Sequence, residues 1–576
     1  MAATRRMRAF KRWMKCQGIE CSDALHLAIA KGSAESLSVS VEALCDLRLG
    51  DVVGRIPKQS CLTVKTTGAH QLIEESQLGG NLGLSIAVMY EKSIGPQSPW
   101  FQYLQLLPPF EPIPMLWSFP EIDSFLPGTE LHKTVKEDKS LFYEDWKECI
   151  EPLLGSALLE LNPNFFSIQE YFAARSLISS RSFEIDKYHG FGMVPLADLF
   201  NHKTAAEDVH FTAISSHSES ENDSDIDNSD IDNEIDGDDE PMAQDSYSEK
   251  DGFSRGDMGS SRTSGDDPTF LEMIMIKDVK AGAEVFNTYG SLGNAALLHR
   301  YGFTEPDNPF DIVNIDLELV LQWSSSLFSC RHSRRRLSLW RKLDYSGCFS
   351  ENTEYFEISF DGEPEVDLLV LLYIMLLPEE EYHELDLALS AVGNLNKSPS
   401  LCFAGKGNIL FVKGSMSNNL LLTKDVCEAL LSLADSREAL YGLSSLDDDI
   451  KSLYGCCRAT EFKLYHSLML RISERKILEK LRCYAAAAAA AAGARIPTTE
   501  SPIPISVVLS INHSTFVKGD QTYFEIELSF DVEVEASELY PNAKDNTVKE
   551  YFDRFVWDVR TEKCLNKVSL ISCELL

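Results

Sequence analysis

The chain has 576 residues and a mass of 64.5 kDa, room for three or four domains at roughly 150 residues each. With 44% apolar and 10% aromatic residues it can bury ordinary cores, which excludes wholesale disorder, and its length excludes a disulfide-stapled miniprotein. Lys and Arg number 53 against 89 Asp and Glu, a formal charge of −36, so direct nucleic-acid binding is disfavoured and a basic protein partner fits better.

The start, MAATRRMRAFKRWMK, is basic but lacks the apolar core of a secretory signal. Met7, Phe10, Trp13 and Met14 fall at helical spacing and predict an amphipathic first helix. Gly50 and Gly54 then punctuate VSVEALCDLRLGDVVGRIPKQSCLTV, which reads as short strands and turns up to about residue 70. From 71 to 182 the pattern turns helical, with Ile86, Met89 and Tyr90 on one face and the Pro-rich, aromatic stretch SPWFQYLQLLPPFEPIPMLW between helices. Strand character returns at FGMVPLADLFNH and again at FLEMIMIKDVKAGAEVFNTYG, within a segment taken as 183–303.

Between those two strand segments lies an acidic insertion. Residues 216–267 hold 18 acids against Lys250, Arg255 and Arg262, a net of −15. So few apolar residues cannot repay their ordering entropy, and a disordered loop is expected. Asp223, Asp225, Asp227 and Glu234 sit at calcium-loop spacing, but Asn228 stands where glycine is needed and no apolar-periodic helix flanks them, so a solvated acidic stretch is the better reading.

Residues 304–484 read as a helical domain, with EVDLLVLLYIMLL, KDVCEALLSLADS and TEFKLYHSLMLRISERKILEKLRCY placing apolar residues three and four apart. The apolar run Leu368–Leu377 is half the length needed to span a bilayer. An Ala-rich linker, 485–500, and a β-rich extension, 501–576, follow. In the extension Phe524, Ile526, Leu528, Phe530, Val532 and Val534 alternate with polar residues. The 14 cysteines include no Cys-x-x-Cys pair, so reduced thiols and no metal site are expected. A soluble, intracellular protein follows, placed in nucleus or cytoplasm ahead of chloroplast, without a membrane association and monomeric.

No phosphate loop, nucleophile elbow or His-Glu-x-x-His is present. What stands out is LADLFNH at 196–202, EVFNTYG at 284–290 and the triplet Tyr301, Gly302, Phe303. In this order, with SPWFQYLQLLP and Trp117 upstream and Ser180–Phe183 before MVPLADLFNH, they resemble the SET-domain lysine methyltransferases, in particular the branch of the Rubisco methyltransferase and the ribosomal-protein lysine methyltransferases. The resemblance covers about residues 8–484. It implies an α+β fold in which a SET β-fold is split by the helical insert and followed by an all-α substrate-binding domain, with the small β-rich tail outside it.

That resemblance implies S-adenosylmethionine as cofactor and in-line methyl transfer to a lysine of a basic protein, such as a ribosomal protein, a histone or another nuclear protein. Tyr289 matches the family's catalytic tyrosine, which also touches the cofactor. Asn201, His202 and Arg181 match cofactor contacts, and Asp198, Phe286, Tyr301 and Phe303 the substrate channel. Where the family has a Gly-rich turn at its first cofactor motif, this chain reads KGSAESLSVSV with Gly32 alone. An inactive SET-like scaffold that binds a basic protein, and a histidine methyltransferase, are the alternatives.

Overall fold

The computed structural model describes residues 2–29, 39–155, 158–213, 269–342, 355–392, 421–494, 506–518 and 521–533. Residues 30–38, which hold most of the expected first cofactor motif, the acidic insertion 216–267 and the tail beyond residue 533 lie outside the described residues. Contacts divide the chain into one unit of residues 1–313 with 438–477, and another of 314–437 with 478–576.

The first unit opens with helix α1 (Ala2–Cys16), whose Met7, Phe10, Trp13 and Met14 are all buried. Trp13 stacks on Tyr103 at 6.1 Å and donates its indole N–H to the Pro99 carbonyl at 2.7 Å, so the helical stripe covers the core and satisfies its one polar atom. Strands β1 (Glu20–Cys21), β2 (Leu25–Ile29), β3 (Val39–Ala43), β4 (Val52–Pro57) and β5 (Leu62–Thr63) follow. Turns at Gly18, before β1, and at Gly50, between β3 and β4, both have positive φ.

The helical insert comes next: α2 (His70–Glu75), α3 (Gly80–Ser93), α4 (Phe101–Leu104), α5 (Phe119–Phe125), α6 (Leu131–Asp145) and α7 (Ile168–Arg181). Helix α3 is buried from Gly83 to Met89. Its Glu91, also buried, accepts from Thr67 Oγ1 at 2.8 Å, the Gly68 N–H at 2.9 Å and Ser98 Oγ at 2.7 Å, which repays the desolvation of the carboxylate. Helix α7 starts on Ser167, whose hydroxyl accepts from the Glu170 N–H, and ends at Arg181 where the chain turns directly into a strand.

The strands that resume are β6 (Ser182–Asp186), β7 (Gly190–Met193), β8 (Val209–Ala213) and β9 (Phe270–Met275). They complete two small sheets, β1-β4-β9-β8 and β5-β7-β6, beside the β2-β3 hairpin. Pairing joins residues far apart in sequence: Arg55 lies opposite Glu272 and the two form a 2.6 Å ion pair. Helix α8 (Asn294–Tyr301) ends on Gly302 at φ +79°.

Residues 438–477 return to this unit, a boundary that helical periodicity alone does not reveal. Polar bonds hold them there: Thr304 to His466 at 2.7 Å, the Glu130 N–H to Glu474 at 3.1 Å, and Ser473 to Asp311. Gly128, at φ +76°, lies so close to Leu440 that an added Cβ would come 2.6 Å from its backbone.

The second unit contains strand β10 (Val313–Asp316) from its second residue on, helices α9 (Leu317–Leu327) and α10 (Cys330–Lys342), strand β11 (Tyr355–Ile358), and helices α11 (Val366–Leu376) and α12 (Glu379–Val392). Helix α11 is buried on most of its surface, and no helix among the described residues is long and apolar enough to cross a membrane. The long helix Phe462–Ala494 runs through the alanine stretch read above as a linker. Alanine has the highest helix propensity, so eight in a row propagate a helix already formed. In the tail, Ser506–Lys518 and Gln521–Glu533 pair as an antiparallel hairpin in accord with the alternation in the sequence.

Candidate active site

The LADLFNH segment forms a tight turn. Leu196, fully buried, adopts φ +81° and ψ −50°, a conformation costly for a branched side chain, and residues 197–199 make one 3-10 turn behind it. Strain of this kind persists where packing over-determines it: Leu196 Cδ2 lies against Gly54, where an added Cβ would come within 3.2 Å. The turn directs Asp198 inward and leaves Asn201 and His202 at its exit.

Asp198 is enclosed. Oδ2 accepts from the Tyr103 hydroxyl at 2.9 Å and lies 3.6 Å from Arg181, while Oδ1 is buried with no hydrogen-bond partner. Burial raises its pKa to about 6 against the lowering effects of Arg181 and Tyr103. Arg181 donates to Glu111 at 2.6 Å and to the Asp198 carbonyl at 3.1 Å. One guanidinium thus serves two carboxylates.

The EVFNTYG segment lies beside that turn. The Asn287 N–H donates to the Asn201 carbonyl at 2.9 Å, and His202 and Asn287 form a parallel bridge. The Asn201 amide donates to Glu284 at 2.7 Å. His202 accepts the Tyr289 N–H on Nδ1 at 3.0 Å, which assigns the ring proton to Nε2, 3.3 Å from Thr204 Oγ1. Burial lowers the His202 pKa, so the ring is neutral at pH 7. The Tyr289 hydroxyl donates to the Phe200 carbonyl at 3.1 Å, and burial raises its pKa well above the usual phenol range.

Four rings stand in contact. Tyr289 stacks on Tyr301 at 4.4 Å and on His202 at 5.0 Å, and Phe303 lies 6.1 Å from His202 and 6.3 Å from Tyr301. Gly302 between the last two permits the sharp turn that returns Phe303 toward the stack.

The structure therefore brings Tyr289, His202, Tyr301 and Phe303 together, and sets Asn201, Arg181 and Asp198 around a neighbouring cavity of about 50 Å³ that Val39 and Leu106 also line. Asp198, expected at the edge of the substrate channel, lies on this Arg181 side because the 3-10 turn points its carboxylate to Tyr103. Phe286 makes no ring contact with the stack among the described residues; it lies 5.4 Å under Lys203. Tyr103, Glu111 and Glu284 were not singled out from sequence. Glu111 had one signal, a lone acid in the apolar run PPFEPIP.

No family model matches the chain. In sequence it is 22% identical over 397 residues to N-lysine methyltransferase setd6 of Xenopus laevis, covering 65% of this chain and 74% of that protein. It is 25% identical over 391 residues to ribosomal lysine N-methyltransferase 3 of Saccharomyces cerevisiae, covering 58% and 68%. A different match, 68% identical but only 57 residues long, is to phenylcoumaran benzylic ether reductase Betv6 of Betula pendula and takes in 18% of that protein. Among solved structures, the SET domain of LSMT bound to lysine and AdoHcy superposes with a TM-score of 0.56 at 19% identity, over 84% of this chain and 91% of that one. The fold is that of the SET-domain lysine methyltransferases of the Rubisco-methyltransferase type.

Proposed function

We propose that the protein is an S-adenosylmethionine-dependent protein-lysine N-methyltransferase. The observation that carries this reading is the stack of Tyr289, Tyr301, His202 and Phe303 adjoining a cavity lined by Arg181, Asp198 and Asn201. The relatives named N-lysine methyltransferases and the structures of LSMT with AdoMet and AdoHcy support it.

The residues fit the cofactor. Asp198 Oδ1 is a buried acceptor without a donor, the position an ammonium group would satisfy. Arg181, Asp198 and Asn201 would hold the charged end, with His202 and Tyr289 at the boundary to the rings. When bound, the cofactor supplies an electrophilic methyl group on a sulfonium.

The chain's own part is orientation and exclusion of water. Tyr289 keeps its proton at all physiological pH values, so it acts as a hydrogen-bonding phenol and not as a base. Its hydroxyl, anchored on the Phe200 carbonyl, retains oxygen lone pairs to position an amine. Aromatic walls desolvate the target ammonium and lower its pKa from about 10.4, so the proton is lost to solvent before transfer. Holding the amine in line supplies most of the rate.

The net charge of −36 favours a basic target, such as a ribosomal protein or a histone, and a nuclear or cytoplasmic setting is where such a target is met. The test is methyl transfer from labelled S-adenosylmethionine into a proteome extract, wild type beside Tyr289→Phe, with mass spectrometry of any labelled band. We expect a band on lysine that weakens about 100-fold in the variant. Label on histidine would reassign the acceptor. Absence of cofactor binding by calorimetry would leave a scaffold in place of an enzyme.

A further inference from the structure

Helix α10 in the second unit reads CRHSRRRLSLWRK, seven basic side chains and no acid, in a chain of net charge −36. Arg341 and Lys342 suit its last turn, but the charges at the other end work against the helix. Arg331 and His332 lie in its first turn, where the macrodipole repels cations, and Arg331 and Arg335, four residues apart, repel one another. Cations gathered where the helix itself disfavours them, including Arg331 with no ion pair among the described residues, point to a use for the charges.

Beside it lies a cavity of about 260 Å³, lined by Arg331, Arg335, Arg336 and His332 from the helix with Glu379 and Tyr382 from α12. Arg336 is 1% exposed. It donates to the Ile374 carbonyl at 2.6 Å and to Glu379 at 3.3 Å, and its guanidinium lies 4.6 Å over the Tyr382 ring. Arg335 shares the same carboxylate at 3.0 Å and the same ring at 5.0 Å. Arg331 has no ion pair among the described residues. His332 donates through Nε2 to the Met375 carbonyl at 3.1 Å, which fixes its ring against α11.

Glu379 is overcommitted: besides both arginines it lies 3.3 Å from His383. Burial lowers the Arg336 pKa even with Glu379 beside it, the sign of a buried cation that its neighbours do not fully compensate.

We propose that this cavity binds a phosphate monoester dianion. Three guanidinium groups against one carboxylate leave a charge of +2, which a dianion matches and a single carboxylate does not. Planar N–H forks suit phosphate oxygens, and Tyr382 with Ile374 already orients one of them. The excess of negative charge elsewhere slows encounter with polyanions such as nucleic acid, which favours a small or singly phosphorylated ligand. Phosphoserine on a protein and free phosphate share this chemistry.

The test is calorimetry on the full chain with three probes at matched ionic strength: a phosphoserine peptide, the same peptide unphosphorylated, and inorganic phosphate. The phosphopeptide should bind at least about 10-fold tighter than its unphosphorylated form, and Arg331→Gln with Arg335→Gln should lose about 10-fold. Both positions reach solvent, so the double variant should fold. Arg334→Gln, exposed on the same helix but outside the cavity, should stay within about 2-fold. Equal affinity for inorganic phosphate and phosphopeptide would assign the site to free phosphate. No preference for either phosphate probe over the unphosphorylated peptide, or an equal loss in Arg334→Gln, would overturn the proposal in favour of diffuse surface charge. Because the readout is binding, this result is independent of methyl transfer.

Discussion

The backbone N–H of Tyr289 donates to Nδ1 of His202 at 3.0 Å, and the two rings stack at 5.0 Å. This pair closes one strand segment of the SET fold on another, since Asn201 and Asn287 bond alongside it. The imidazole therefore has a structural task at the site, and that task requires it neutral.

His202→Ala should leave the Tyr289 N–H without its acceptor and remove one face of the stack. The expected loss is about 1–3 kcal/mol in urea unfolding, with methyl transfer reduced more than cofactor affinity. The sign with pH follows from the lowered pKa: the unfolded ring gains a proton near 6.5 while the folded ring resists it. Stability from this group is thus present above pH 6.5 and is lost as pH falls below it. Unfolding of wild type and variant across pH 5 to 7.5 should converge toward the acid end.

Asp198 runs the opposite way. Its folded pKa of about 6 lies above the ordinary 3.8, so between those values the folded state holds a proton that the unfolded state has lost. Stability falls as pH rises through that window, by on the order of 3 kcal/mol for this group. Asp198→Asn should accordingly gain on wild type by that amount between pH 4 and pH 7. A constant difference between the two across the range would show that Arg181 keeps the carboxylate ionised throughout.

Arg181→Ala should remove the cation from two buried carboxylates at once, Glu111 and Asp198. A loss of about 3–5 kcal/mol is expected, together with loss of cofactor binding. Arg181→Met with Glu111→Leu should recover part of the stability by removing one stranded charge, but none of the binding. Recovery of binding in the double variant would show that the guanidinium does not contact the cofactor.

Gly302→Ala tests the aromatic wall. At φ +79° an alanine is strained, and its Cβ would lie 3.3 Å from the Pro112 carbonyl. About 1 kcal/mol of stability should be lost. The displacement of Tyr301 and Phe303 should raise the KM for a substrate peptide while cofactor affinity holds.

Much of the architecture was legible because it rests on local pattern. Met7, Phe10, Trp13 and Met14 sit on one helical stripe and are buried together. The motif residues Asn201, His202, Tyr289, Tyr301 and Phe303 could be grouped by a resemblance although more than 80 residues separate the first from Tyr289. What was not legible was position in space. Nothing near Asp198 in sequence signals that Tyr103 and Arg181 surround it, or that Glu111 shares its cation.

The sequence by itself determined the periodicities and the order of strand and helix segments, because side-chain spacing and backbone propensity act over a few residues. Only the tertiary structure decided which groups are buried and with whom. Asp198 is titrated upward by loss of water, His202 is held neutral by burial, and residues 438–477 are drawn into the first unit by hydrogen bonds from Thr304 and Glu130. Desolvation and hydrogen bonding depend on the surrounding atoms in three dimensions, and those come from parts of the chain up to 344 residues away, as between Glu130 and Glu474.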